Sequence, residues 1–318
     1  MAPTRVHLDT DLGGDIDDLC ALALLLTWPD VAITGITTVL EHQGKRAGYA
    51  RYALALAGRN EVPVAAGAEV GLGCFRLQDY GFPPEERYWP EPVTPAPGPL
   101  EAALDLLKQS IELGAIVVAI GPFTNLVLLE RRSPGVLRHA TLCLMGGSIT
   151  PAPPGFPAWD YEMDFNVQAD PSAAKQVLES ADPDRTTLVP IEVTAQTALR
   201  RAYLPALRRA GPLGQLVARQ AEACAQDWSN EERYGRTCEG LPRDIINFQH
   251  DPLACAVALG WSGVTVESLP LALALEVVWL RMRIDGCGRR LRVVTRVDQA
   301  RFNAFWLDTV TRRPTAPQ

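Results

Sequence analysis

Much of what narrows this sequence is what it lacks. Its 7 cysteines include no C-x-x-C pair; they stand singly at 20, 74, 143, 224, 238, 255 and 287, several inside apolar runs. An odd number without metal-ligand spacing excludes a zinc module and a disulfide scaffold, and predicts reduced core thiols in a cytoplasmic protein. Positive charge is in short supply. Against 37 Asp and Glu stand 30 Lys and Arg, a formal net charge of -7, so no broad basic surface invites a nucleic-acid polymer. No apolar run reaches the ~20 residues that span a bilayer. The longest candidates, residues 19–28 and 269–280, fall well short, and Glu276 breaks the second; both read as buried core, with no membrane partner. Residues 1–6 lack the apolar segment of a secretory signal. Repeats, low-complexity tracts and linker-like stretches are also missing, which predicts a single domain over 1–318.

What is present is an ordinary globular composition, 47% apolar and 21% charged over 318 residues, enough to bury a sizeable core. Strand-like and helix-like patterns alternate. Residues 6–8 read as a short strand, and 17–28 as a helix with acidic residues at its start, where they complement the dipole. The β-branched run 31–39 suits a strand buried on both faces. Helices over 43–57, 99–113, 125–132 and 171–180 alternate with strands over 62–65, 115–120, 141–145 and 187–190. This order predicts an α/β fold, a mainly parallel central sheet flanked by helices. Loops over 71–98 and 146–160 are long and proline-rich, a length that marks functional or disordered segments. The mostly helical stretch 203–243, with Trp228 and Tyr234 near its end, suits a lid. The tail over 271–297 predicts a small antiparallel addition, a pair turning at Asp285-Gly286, before a last helix.

The chemistry concentrates in Leu8-Asp-Thr-Asp-Leu-Gly-Gly-Asp-Ile-Asp-Asp18. Asp9, Asp11, Asp15, Asp17 and Asp18 follow the first strand, at the end of a parallel sheet where ligands bind. Carboxylates so crowded repel one another unless a cation shares them. Gly13 and Gly14 allow the tight turn that lets Asp11 and Asp18 converge. A hard, oxygen-loving ion is the natural partner, Ca2+ before magnesium. Helix capping accounts for Asp15, Asp17 and Asp18 but leaves Asp9 and Asp11 unexplained. An EF-hand fails, because Cys20 stands where the twelfth-position Glu belongs and a strand, not a helix, precedes the loop. A haloacid-dehalogenase-type phosphatase with Asp9 as nucleophile stays open, weakened by Gly13 at its fifth motif position.

With these residues in view, the segment resembles the opening signature of the nucleoside hydrolases, the inosine–uridine-preferring group: Asp9-Thr-Asp11-Leu-Gly13, two extra residues, then Asp17-Asp18 and an apolar helix. The resemblance continues in order through Pro63-Val-Ala-Ala-Gly67, Gly121-Pro-Phe-Thr-Asn125, Leu144-Met-Gly-Gly147, Asp164-Phe-Asn166, Asp170-Pro-Ser-Ala-Ala174 and His250-Asp-Pro-Leu253. It implies a Rossmann-like fold of nucleoside hydrolase type and a calcium-dependent N-glycosyl hydrolase acting on a small nucleoside. It also implies a homodimer or homotetramer with a place in purine or pyrimidine salvage. Carried over by position, Asp11, Asp18, the Thr124 carbonyl and Asp251 would hold Ca2+, with Asp11 also the general base. Asp17 and Asn166 would hold ribose hydroxyls, Asp164 would sit near the 5′ end, Met145 would pack beneath the sugar, and His250 would face the leaving base as a proton donor.

The chain departs from the family where the substrate would lie. The family's Asn after the second strand maps onto His42, its Glu before Phe-Asn is the shorter Asp164, and another Asn aligns with Ala158, for which Asp160 or Glu162 could compensate. Leu12 replaces a proline, and the insertion adds Asp15. The cation site is intact while the substrate shell is altered. A nucleoside- or ribose-binding homologue without turnover is therefore the competing expectation beside the Asp9 phosphatase.

Overall fold

The computed structural model of the chain describes residues 2–73 and 84–312; Cys74 and the middle of the 71–98 loop lie outside them. Strand β1 (Thr4–Thr10) leads through the acidic turn into α1 (Ile16–Thr27), followed by β2 (Val31–Thr38), α2 (Lys45–Leu56) and β3 (Val64–Ala66). Next come α3 (Leu100–Glu112), β4 (Ile116–Ala119), α4 (Thr124–Arg132), β5 (Thr141–Met145), α5 (Phe165–Gln168), α6 (Pro171–Ser180) and β6 (Thr186–Val189). The chain then runs through α7 (Ile191–Thr194), β7 (Ala198–Arg200), α8 (Leu204–Leu207), α9 (Pro212–Trp228), β8 (Ile245–Phe248) and α10 (His250–Ala258). Strands β9 (Val264–Glu276), β10 (Trp279–Ile284) and β11 (Arg289–Val297), then α11 (Gln299–Val310), complete it.

Nine strands form one sheet in the order β10-β9-β11-β6-β5-β4-β1-β2-β3. From β3 to β6 every pairing is parallel, as strands joined through helices require. Apolar residues of α1, α2, α9, α10 and α11 pack together in one core, and those of α3, α4 and α6 in a second. These helices cover both faces of the sheet, which is why its central strands read as continuous apolar runs.

The tail differs from the expected hairpin. Strands β10 and β11 do not pair across Asp285-Gly286; each pairs antiparallel with β9, which lies between them, and β11 joins β6 in parallel. With 13 residues, β9 is long enough to serve a neighbour on each edge, so the addition extends the main sheet. The outer strand β10 is anchored by Gln168, whose amide donates to the Leu280 carbonyl and accepts from its N–H, both at 2.9 Å. A second, two-stranded antiparallel sheet joins β7 and β8.

Six cysteines among the described residues are free, four of them buried. No helix among those residues is long and apolar enough to cross a membrane.

Candidate active site

The carboxyl ends of the parallel strands open into a cavity of ≈ 410 Å³. Its acidic wall is built by two helix starts. Asp15 caps α1, its Oδ1 accepting from the Ile16 N–H at 2.7 Å and from the Asn247 amide of β8. The cap sets Asp17 and Asp18 in the first turn. Helix α1 packs against α10, whose first turn carries Asp251. Carboxylate oxygens of Asp17, Asp18 and Asp251 consequently lie within 4.8 Å of one another, all three buried.

Burial raises all three well above the usual carboxylate range, and the charges of their neighbours raise them further. Asp11 lines the same cavity; burial lifts it to about 6, with the Arg46 guanidinium pulling the other way. Three buried carboxylates in contact distance, with Asp11 close by, offer only hard oxygen donors. That set fits a hard divalent cation, which would relieve the repulsion.

Two glycines leave room for carboxylates to approach. A Cβ on Gly13 would meet the Glu85 carboxylate at 2.5 Å, and one on Gly121 would meet Asp11 Oδ1 at 2.8 Å. Glu85 begins a short turn, 85–88, strapped over the acidic segment. Trp89 Nε1 donates to the Gly13 carbonyl at 3.3 Å, and the Trp89 ring stacks on Tyr49 at 4.2 Å.

Another side of the cavity is provided by β5 and α5. Asn166 spends its Nδ2 on the carbonyls of Ile120 and Met145 and on the Met145 sulfur, at 3.0, 3.3 and 3.1 Å, which leaves Oδ1 as its acceptor. Asp164 lines the cavity too, but its carboxylate accepts from the backbone N–H groups of Gly147 and Val167, so it caps α5 while burial lifts it to about 7. Opposite lies an aromatic wall of Trp159, Tyr234 and Phe248, with ring centroids 4.7 to 5.3 Å apart. His250 packs 5.5 Å from Phe248. Its Nδ1 is held by the Thr194 hydroxyl at 2.6 Å, and burial lowers its pKa to about 4. The ring is neutral near pH 7.

Of the residues singled out in the sequence, Asp11, Asp17, Asp18, Met145, Asp164, Asn166, His250 and Asp251 line this one cavity. Two do not. His42 is exposed and outside the lining, because Glu41 turns its carboxylate back onto the N–H groups of His42, Arg46 and Ala47 to cap α2. Thr124 is buried outside the lining, its hydroxyl donating to Asp170 at 2.7 Å. Asp9 is fully buried, tied to Thr37 and Asn125 at 2.5 and 2.7 Å. It does not line the cavity, so an Asp9 nucleophile has no route to a substrate. Of the proposed substitutes for Ala158's counterpart, Glu162 lines the cavity, whereas Asp160 caps the turn 161–163.

Sequence reasoning missed Arg46, Glu85, Trp159, Thr194 and Asn247, which arrive from separate elements. One signal marked Arg46: a basic residue in the first turn of a helix runs against the dipole, and α2 has no acid there to offset it.

A mainly parallel sheet flanked by helices, with buried carboxylates gathered at its strand ends and an aromatic cluster in the same cavity, makes an α/β fold with one acidic site whose donors suit a hard cation. The chain belongs to the inosine-uridine preferring nucleoside hydrolase family, whose model matches residues 6–304. It is thus an N-glycosyl hydrolase, of a family that cleaves the N-glycosidic bond of ribonucleosides. It is 29% identical over 273 residues to the pyrimidine-specific ribonucleoside hydrolase RihA of Citrobacter koseri, covering 80% of this chain and 78% of that one. An uncharacterized Schizosaccharomyces pombe protein is 30% identical over 234 residues, 66% of this chain and 69% of its own. Among solved structures, the purine-preferring ribonucleoside hydrolase from Gardnerella vaginalis superposes with a TM-score of 0.80 at 23% identity, over 97% of this chain and 98% of its own. The plant nucleoside hydrolase PpNRh1 gives 0.79 at 22%, over 99% and 100%. At such identities the structural likeness speaks for the fold.

Proposed function

We propose that this chain hydrolyses a ribonucleoside to free base and ribose with the aid of Ca2+, Asp11 acting as general base. The observation that carries the proposal is the meeting of Asp17, Asp18 and Asp251 beside Asp11 in one buried cavity. Asp11, Asp18 and Asp251 would hold the ion, Asp17 is near enough to share it, and Thr124, which lies behind the lining with its hydroxyl on Asp170, would reach it only through its backbone carbonyl. When bound, calcium supplies a positive charge that acidifies water and anchors sugar hydroxyls.

The chain's own residues do the rest. Asp11 takes the proton of the attacking water as it approaches C1′. Asn166 Oδ1 and Asp17 accept from ribose hydroxyls, which fixes C1′ toward that water. The surrounding carboxylates and the Met145 sulfur favour the positive charge that develops on the sugar as the bond to the base breaks. Trp159, Tyr234 and Phe248 stack on the base. His250, a neutral ring, offers the departing base a hydrogen bond and not a strong acid. A homodimer or homotetramer in the cytoplasm, working in base salvage, belongs to the same proposal.

The test is a panel of nucleosides assayed for reducing sugar with calcium and with chelator. Wild type releases ribose only with the metal. Asp11→Asn lowers kcat by about 10²–10⁴-fold while calcium still raises the melting temperature. Binding of nucleosides without any release of base from wild type would instead identify a binding homologue.

A further inference from the structure

Arg46 is a charged group in this cavity that the proposed reaction has not used. Its side chain is only 3% exposed, yet it lines the cavity. Its Nη2 donates to Glu85 Oε1 at 2.6 Å. Its Nη1 is buried with no hydrogen-bond partner among the described residues and stands 3.9 Å from Asp11 Oδ2. A buried guanidinium N–H left unspent is costly and calls for an acceptor.

The gap to Asp11 is too wide for a direct hydrogen bond, but one oxygen about 2.8 Å from each would fit between them. That oxygen must accept from Nη1 and donate to a carboxylate, so it is a water or a hydroxyl. An anionic phosphate or carboxylate group does not fit, since it would face the acidic wall of Asp11, Asp17, Asp18 and Asp251.

We propose that Arg46 is a further catalytic residue: Nη1 and Asp11 Oδ2 together grip the attacking water. The inference rests on the reading of Asp11 as general base. The water gives one proton to Asp11, its oxygen bonds to C1′, and the C1′–N electron pair departs on the base. Arg46 gives up no proton. Its fixed positive charge steadies the oxygen as negative charge builds there and orients its lone pair toward C1′. Glu85 holds the far side of the guanidinium, and the cap by Glu41 fixes the first turn of α2 from which Arg46 projects.

The experiment compares calcium-loaded wild type, Arg46→Lys and Arg46→Ala on the best nucleoside of the panel, with Glu85→Gln as a check on the anchor. Both Arg46 variants should lose about 30- to 100-fold in kcat with KM changed less than about threefold. Added guanidinium ion, below denaturing concentration, should restore part of the Arg46→Ala rate, a rescue that a scaffold role would not allow. Glu85→Gln should show a smaller fall in kcat. A rise in KM at unchanged kcat, or a loss confined to substrates retaining a particular ribose hydroxyl, would make Arg46 a sugar ligand and overturn the proposal. So would a lost rate that guanidinium cannot restore. Wild type that releases no sugar would defeat the underlying reaction itself, whereas active wild type beside unimpaired Arg46 variants defeats this inference alone.

Discussion

Calcium should stabilise this protein by an amount that grows with pH. Asp11 is lifted from 3.8 to about 6, roughly two pKa units, or about 3 kcal/mol of penalty on its charged form. A folded-state pKa raised above the unfolded value means stability that is full below about 3.8 and is lost as pH climbs through about 6. The cation cancels that loss. A chain of 318 residues gains about 0.7 kcal/mol/K of entropy on unfolding, so 3 kcal/mol moves the melting temperature by about 4 °C. Asp17, Asp18 and Asp251 are raised too and can only enlarge the effect. The assay is differential scanning fluorimetry of one preparation in calcium and in chelator at several pH values. The two curves should differ by about 4 °C or more at pH 8 and by roughly half as much at pH 5. Equal differences at both values, or none at pH 8, would refute the cation site.

Three further outcomes are expected. His250 is neutral above about pH 5, so wild type and His250→Gln should give parallel kcat/KM profiles from pH 5 to 8, the variant about 10- to 100-fold slower; a wild-type limb near 6.5 that vanishes in the variant would contradict this. Gly13→Ala brings a Cβ against the carboxylate end of the flexible Glu85 side chain, which can swing aside, so urea unfolding should show a cost below about 1 kcal/mol while kcat falls as Glu85 shifts from Arg46. Asp9→Asn disturbs a buried hydrogen-bonded group and should cost about 1–3 kcal/mol while kcat stays within about tenfold; near-complete inactivation at unchanged stability would restore Asp9 to the chemistry.

The parallel half of the fold was legible because each strand and helix there announces itself locally. The β-branched run of β2 and the acid-led start of α1 fall within a residue or two of their expected bounds. The tail was not, since nothing within residues 271–297 tells that β9 serves two partners or that β11 docks on β6. The same division runs through the site. Five aspartates in one turn can be read from a single segment. The contact of Asp15 with Asn247 spans the fold, and the conversion of Glu41 into a helix cap, which sends His42 to the surface, depends on how α2 enters. Arg46 and Glu85 meet only once the turn 85–88 has settled on Gly13. Where a family residue was replaced, position alone pointed to His42, which the fold leaves exposed, whereas Arg46 in the following helix lines the cavity.

Gln168 gives the rim of the molecule a say in its centre. A side chain that completes the bonding of an outermost strand belongs to the same one-turn helix as Asn166, so the proposed seat of the sugar is moored to the perimeter of the sheet. On that proposal, a partner that tugged on β10 would pull on the helix carrying this amide, and would be felt first as weaker substrate affinity.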